Sequence, residues 1–266
     1  MQMIPTKYPS LTIITICKDI CLTIEKTIQS IVGQTYQDFQ WIVIDGASQD
    51  GTLEILDKFK NRIDILVSEK DNGIYNAMNK GLRLAKGEYI YFLNGGDYLF
   101  DTTTLEKILS HPLIEDFIYG NIMVFNGMMN PYILKMPTQI SLEFLYNKSI
   151  PHQSTFTKKS VFEKTSGFNE SFPIAADYEL TLRAFLLHSS KFQFVNNIFA
   201  WYLPYGASDN EENRILEKDK IHRKYFSFLK RSIYSNRMES FYYTKRNHFG
   251  NYLKKLFGIR NPMIFS

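Results

Sequence analysis

Short apolar runs alternate with helical patterns from Leu11 onward. The runs LTIITI (11–16), WIVID (41–45), DILVSE (64–69) and YIYFLN (89–94) are β-branched or aromatic, and nearly continuous rather than alternating. Strands covered on both faces have this pattern. Between them, residues 22–32 place Ile24, Ile28 and Ile31 at helical spacing, and residues 53–59 do the same with Leu53, Leu56 and Phe59. Helices between buried strands imply repeated βαβ units and a parallel sheet. Further on, Thr103-x-x-Glu106 and Ser160-x-x-Glu163 each match a capping box that opens a helix. From Phe117 to Thr157 the pattern changes to short aromatic-rich strands (FIYGNIMVF, PYILKM, HQSTFT), so the second half reads as mixed sheet and helix closing over the first.

Composition narrows this picture in three ways. The chain of 266 residues is long enough to bury an ample core without staples. Its two cysteines, Cys17 and Cys21, have neither a CxxC spacing nor a nearby pair of histidines, which argues against a disulfide framework or a zinc site. Residues 1–10 lack the apolar segment of a signal peptide, and no window approaches the roughly 20 apolar residues of a membrane span. A cytoplasmic protein is the expectation. The net charge of +4 is unevenly spread, because residues 214–266 hold thirteen Lys and Arg against three Asp and Glu. A basic, aromatic-rich tail of this kind suits an anionic membrane surface, or packs on the core through its aromatics. No nucleic-acid-binding motif accompanies it.

In a parallel α/β sheet, ligands bind beyond the carboxyl ends of the strands. Four such ends carry acceptors and small residues: Cys17-Lys18-Asp19, Asp45-Gly46-Ala47-Ser48, Glu69 to Gly73, and Asn94-Gly95-Gly96-Asp97. Neither GxGxxG nor GxxxxGK[ST] occurs, which excludes the dinucleotide fingerprint and the P-loop. Carboxylates at these ends can accept from a base or a ribose, or hold a hard divalent cation that carries a diphosphate. Asp45 and Asp71 can equally serve as turn or Asx caps, and Asp97 as a helix cap.

The segments ASQDGT (47–52), DNGIYNAMNKG (71–81), GEYIYFLNGGD (87–97), HQSTF (152–156) and GFNESFPIAADYEL (167–180) together resemble glycosyltransferase family 2 over roughly residues 10 to 210. The likeness is greatest to members from bacterial exopolysaccharide, capsule and lipopolysaccharide clusters. It implies an α/β fold of GT-A type, with a mostly parallel central sheet flanked by helices and a Rossmann-like nucleotide-binding half. A mixed acceptor-side half and a basic helical tail complete the expectation. The corresponding divisions are 1–213 for the glycosyltransferase domain (10–100 donor half, 101–213 acceptor half) and 214–266 for the extension.

The resemblance further implies a nucleotide-sugar donor, commonly a UDP-sugar, a divalent cation (Mn²⁺ or Mg²⁺), inversion at the anomeric carbon, and a glycan or lipid-linked acceptor. Carried over by position, Asp45 and Asp71 hold uracil and ribose, Thr15 and Cys17 back the base, and Asn79 joins the donor-nucleotide set. Asn94, Gly95 and Gly96 lie with the donor sugar and diphosphate, and Asp97 closes the metal-binding motif. His152 is a further candidate metal ligand or acceptor contact, with a purely structural histidine as the other reading. Asp177 matches the general base, with a plain helix cap as its alternative. Its helix N-terminus favours ionisation, while Phe172, Ile174 and Tyr178 desolvate it. Gly206-Ala207-Ser208 reads as a loop over the diphosphate or a simple turn.

Three departures stand out. Asn94 and Gly96 replace aspartates of many relatives, Met78 replaces an arginine and is assigned to the core, and Ile16-Cys17-Lys18 replaces a Pro-Thr-Tyr turn. Two rival functions use the same residue types: a metal-dependent nucleotidyltransferase, and a non-catalytic nucleotide- or glycan-binding module.

Overall fold

The computed structural model describes residues 11–125, 130–203 and 211–233, with side chains of the last segment described for 212–226. The first half runs β1 (Leu11–Cys17), α1 (Ile24–Val32), β2 (Phe39–Asp45), α2 (Thr52–Asp57), β3 (Ile65–Ser68), α3 (Ile74–Leu84) and β4 (Tyr89–Phe92). The second adds β5 (Tyr98–Leu99), α4 (Thr104–Leu109), β6 (Phe117–Val124), β7 (Tyr132–Leu134), α5 (Leu142–Asn147), β8 (Thr155–Lys158), α6 (Lys159–Thr165), α7 (Ala176–His188), β9 (Phe192–Tyr202) and α8 (Glu211–Ile233). One sheet orders them β3-β2-β1-β4-β8-β6-β9-β5, with β7 beside β6. β3, β2, β1 and β4 are mutually parallel, whereas β8 runs antiparallel to both β4 and β6. This is the expected α/β architecture.

The continuous apolar runs have a direct cause. On β1, Leu11 and Ile13 enter one core while Ile14 and Ile16 enter the other, and on β2 Trp41 and Val43 oppose Ile42 and Ile44 in the same way. Each fully buried Ile contributes about 1.5–3 kcal/mol relative to exposure. β3 departs from the expectation of two covered faces. It is the sheet edge, and its exposure alternates along ILVS.

Several local expectations change. Thr103 is the N-cap of α4 but makes no capping bond, because Asp101 Oδ1 accepts from its N–H and hydroxyl, both at 2.9 Å. Glu106 turns instead to the Thr35 hydroxyl, 2.6 Å away. Ser160 lies inside α6, which begins at Lys159 with Lys158 as an uncapped N-cap. His152–Ser154 forms a 3-10 turn, so the strand expected from HQSTFT starts only at Thr155. Helix α3 went unread because its interior carries Asn76, Asn79 and Gly81, which are poor helix formers. Met78 is buried in the core, as expected.

The division at 213 falls inside α8. Ile221, Tyr225 and Phe226 of that helix are buried in the same core as α3, α5 and α7, so this apolar face is occupied by protein. Gly206, Ala207 and Ser208, and residues 234–266 of the extension, lie outside the described residues. Among the described residues no helix is long and apolar enough to cross a membrane.

Candidate active site

Strand register brings the sequence-separated polar ends together. Cys17 pairs with Asp45 and Asp45 with Ser68, so β1, β2 and β3 finish side by side. The segment after β4 continues along β1, with Leu93 N–H donating to Ile14 O at 3.0 Å and Gly95 N–H to Ile16 O at 2.9 Å. Because β8 is antiparallel to β4, its start lies at this same rim, which delivers His152 and Gln153 beside Asn94 and Asp97.

On the donor side the carboxylates are already engaged. Asp45 is fully buried. Its Oδ2 accepts from Ser48 N–H at 3.0 Å and Ser68 Oγ at 2.7 Å, and its Oδ1 accepts from Ser48 Oγ and from Cys17 Sγ at 3.7 Å. Burial, then the neighbouring Asp45 charge, pushes the Cys17 thiol far up. Asp71 pairs with Lys80 at 2.6 Å, and the same ammonium reaches Glu69 Oε1 at 2.7 Å and Lys70 O at 3.0 Å. A Cβ on Gly46 would sit 3.2 Å from Asp71 Oδ2 and 3.1 Å from the Lys18 side chain, so this floor is closely built.

Three residues expected to face the donor are used elsewhere. Thr15 is fully buried and its hydroxyl takes the Trp41 indole N–H at 3.1 Å, inside the sheet rather than at its rim. Asn79 spends its amide on the backbone N–H and carbonyl of Phe168, both at 2.9 Å, and on Glu170 Oε1 at 2.8 Å. It staples α3 to the loop before α7. Gly95 is small because a Cβ there would come within 2.0 Å of Ile20 Cδ1, a packing demand rather than a ligand's. Gly96, at φ +100°, would bring an added Cβ 3.9 Å from Thr23 Oγ1, and it donates its N–H to Thr27 Oγ1 at 3.0 Å.

The acceptor side is wired differently. Asp97, 6% exposed, receives Gln153 Nε2 on Oδ2 at 2.9 Å and Leu203 N–H on Oδ1 at 3.3 Å. Burial raises its pKa to about 6, against the opposing pull of His152, Gln153 and Leu203. No Lys or Arg pairs with it among the described residues. His152 bridges outward, with Nδ1 3.5 Å from Asp177 Oδ2 and Nε2 3.2 Å from Asn94 Nδ2. Both ring nitrogens thus have partners, which sets His152 apart from the metal-ligand expectation.

Asp177 sits in the first turn of α7. Its Oδ1 accepts from Tyr75 OH at 2.9 Å and from Tyr178 N–H at 2.8 Å, which leaves Oδ2 facing His152. Burial pushes its pKa up, but the bond and charge of His152, the Tyr178 N–H and the Tyr75 hydroxyl outweigh burial and lower it. The carboxylate is therefore ionised at neutral pH. Tyr75 and Gln153 were not singled out in the sequence, although both lie inside segments quoted for the resemblance, DNGIYNAMNKG and HQSTF.

A divalent cation is compatible with these residues. Among the described residues each Asp97 oxygen accepts a single hydrogen bond, and Asn94 Oδ1 is buried with no hydrogen-bond partner. No group of three or more His, Cys, Asp or Glu that could hold a metal occurs among them. One carboxylate with water and substrate phosphates is how Mg²⁺ is commonly bound.

Comparison with known proteins agrees with the geometry. The family model of glycosyl transferase family 2 matches residues 12–171. A PGL/p-HBAD biosynthesis glycosyltransferase of Mycobacterium bovis is 26% identical over 222 residues, covering 81% of this chain and 84% of the relative. The Escherichia coli UDP-Glc:alpha-D-GlcNAc-diphosphoundecaprenol beta-1,3-glucosyltransferase WfaP is 28% identical over 197 residues, 72% of this chain and 75% of its own. Among solved structures, Staphylococcus aureus TarS in complex with UDP-GlcNAc superposes with a TM-score of 0.64 at 18% identity, covering 82% of this chain and 71% of TarS. The mannosyltransferase PcManGT of Pyrobaculum calidifontis, in complex with GDP-Man and Mn²⁺, gives 0.61 at 18% identity, covering 83% and 65%. The sheet order is that of a GT-A fold, and the chain belongs to glycosyl transferase family 2.

Proposed function

We propose that the chain is an inverting glycosyltransferase that moves a sugar from a UDP-sugar to a hydroxyl of a lipid-linked acceptor during bacterial surface-glycan synthesis, at the cytoplasmic face of the membrane. The observation that carries this reading is Asp177. One of its oxygens is held by Tyr75 and the Tyr178 N–H while the other faces His152, and the neighbouring Gln153 in turn holds Asp97. Direct displacement needs one base to take the acceptor proton, and Asp177 Oδ2 is the ionised oxygen placed for it. His152 Nδ1 orients that oxygen.

Asp97 and Asn94 Oδ1 would hold a divalent cation, which supplies positive charge for the leaving diphosphate. The engaged carboxylates of Asp45 and Asp71 form the floor against which a nucleoside would lie. The donor and acceptor class follow those of the E. coli glucosyltransferase, and the Mn²⁺ complex of the mannosyltransferase supports the cation.

The test combines the purified chain, Mn²⁺ or Mg²⁺, a panel of UDP-sugars and a GlcNAc-diphosphate-lipid acceptor, and follows release of UDP and the mass of the lipid product. Release of pyrophosphate instead would indicate nucleotidyl transfer, and binding without turnover of any donor would indicate a binding module. Membrane contact through the basic extension is checked by liposome cosedimentation. Charge reversal at Lys245, Arg246, Lys254 and Lys255 should weaken binding to anionic vesicles, and equal binding removes that contact.

A further inference from the structure

Helix α7 carries Asp177 but has no cap of its own. Its N-cap is Ala175, which has no side-chain acceptor to offer. The backbone that enters the helix is held instead by Glu217 on α8, whose Oε2 accepts from Ile174 N–H at 3.0 Å and from the N–H of the N-cap residue Ala175 at 2.8 Å. Glu217 is only 8% exposed, so these bonds form away from bulk water. The one hydroxyl hydrogen of Tyr75 is shared between the Ile174 carbonyl and Asp177 Oδ1, each 2.9 Å from the phenol oxygen. A short chain of bonded groups therefore runs from Glu217 through the Ile174 peptide and Tyr75 to the carboxylate.

The grip of α8 continues past Asp177. Tyr178 OH meets His222 Nε2 at 2.8 Å, and the Lys218 ammonium lies 5.2 Å from the centre of the Tyr178 ring. Glu179, fully buried, meets the Tyr225 hydroxyl, the Lys224 ammonium at 3.1 Å and the Arg183 guanidinium at 3.0 Å. Residues 174, 175, 178 and 179 are all held on either side of the one carboxylate. Both α7 and α8 lie beyond residue 171, where the family match ends.

We infer that α8 is a working part of the active site and that Glu217 is a positioning residue, which holds the backbone at the entry to α7 and so aims Asp177. The inference rests on the reading of Asp177 as the base. Without the Glu217 carboxylate, two backbone N–H groups lose their acceptor, the start of α7 shifts, and Asp177 leaves its place beside His152. A displacement near 1 Å at a reacting group costs about 100-fold in rate.

The full chain is compared with Glu217→Ala, Glu217→Gln, Asp177→Asn and the Glu217→Ala/Asp177→Asn double variant. UDP release from UDP-glucose and UDP-GlcNAc gives kcat and KM, and hydrogen exchange is followed over residues 172–178. Glu217→Ala should lower kcat about 10- to 100-fold, leave the donor KM unchanged, and speed exchange at 174–175. Glu217→Gln, whose amide oxygen can still accept both N–H groups, should recover most of the rate. Added to Asp177→Asn, the alanine change should cost little more, since the two act through one group.

The inference is overturned if Glu217→Ala keeps full kcat, or if exchange at 174–175 is unaltered. It is also overturned if the two losses multiply, or if the rate returns on cooling in step with stability alone. An inactive Asp177→Asn beside a fully active Glu217→Ala rejects the positioning role only. Full activity in Asp177→Asn rejects the base, and this inference with it.

Discussion

The two halves of the strand-end rim treat their carboxylates in opposite ways. On the donor side, Asp45 has each oxygen doubly bonded to Ser48, Ser68 and Cys17, and Asp71 is neutralised by Lys80. On the acceptor side, Asp97 and Asp177 pair with no Lys or Arg among the described residues, and Asn94 Oδ1 has no hydrogen-bond partner among them. Fully satisfied polar groups rigidify a wall, whereas partly satisfied buried ones are costly to keep and are retained where a ligand or reacting atom completes them. Identical side-chain chemistry thus divides into scaffold and reactive roles by the kind of partner each group has at home: four donors around Asp45 and an ammonium on Asp71, against amide, hydroxyl and imidazole groups around Asp97 and Asp177.

Removing the reactive half's key group should have the largest effect. Asp177→Asn keeps the shape and the Tyr75 bond but removes the proton acceptor, so transfer should fall about 10²–10⁴-fold with nucleotide binding intact. Rate and donor affinity measured side by side decide it, and a small change in rate would erase the contrast between the halves. On the scaffold side the effect should appear in stability instead. Asp45→Asn forces an NH₂ group against buried donors, which costs about 1–3 kcal/mol, read as a lower midpoint in denaturant. A stable Asp45→Asn chain that has lost nucleotide binding would move Asp45 from scaffold to ligand contact.

A smaller effect is expected at Thr15. Thr15→Val keeps the volume but leaves the Trp41 indole N–H without its acceptor, a loss of about 1 kcal/mol that thermal melting can resolve. Donor affinity should be unchanged, because the hydroxyl lies inside the sheet. Weaker nucleotide binding in this variant would return Thr15 to the donor site.

The same contrast explains how far the residues could be read in advance. The sheet was legible because β1, β2 and β4 are buried on both faces and must be apolar without a break, and the edge strand β3 was misjudged because four residues are too few to reveal alternation. The acidic strand ends were legible as a group. Their partners were not, since Ser68, Lys80 and Gln153 gain meaning only from register and from the antiparallel return of β8. Asn79 and Thr15 were drawn toward the donor by their neighbours in sequence, yet each points into a packing contact. Residues 214–266 admit two readings, a membrane-facing basic tail or packing on the core through aromatics, and charge counted along the chain does not separate them; within α8, Ile221, Tyr225 and Phe226 are buried in the core.

The gentlest test concerns that helix and uses pH alone. His222 stacks on Tyr146 at 4.2 Å and meets Tyr178 OH at 2.8 Å. Burial, reinforced by the Lys218 charge, lowers its pKa from 6.5 to about 4, against weaker opposing effects of Asp219 and the Tyr146 backbone. In the unfolded chain His222 takes a proton near pH 6.5, while the folded chain resists until about pH 4. The unfolded state therefore binds more protons across this window, so stability falls as the solution is acidified through it. His222→Phe preserves the stacking area and cannot titrate, so its denaturation midpoint should decline less between pH 6.5 and 5 than that of the parent chain. Parallel declines would show that His222 is not desolvated, and that α8 holds the loop of Asp177 less tightly than its bonds imply.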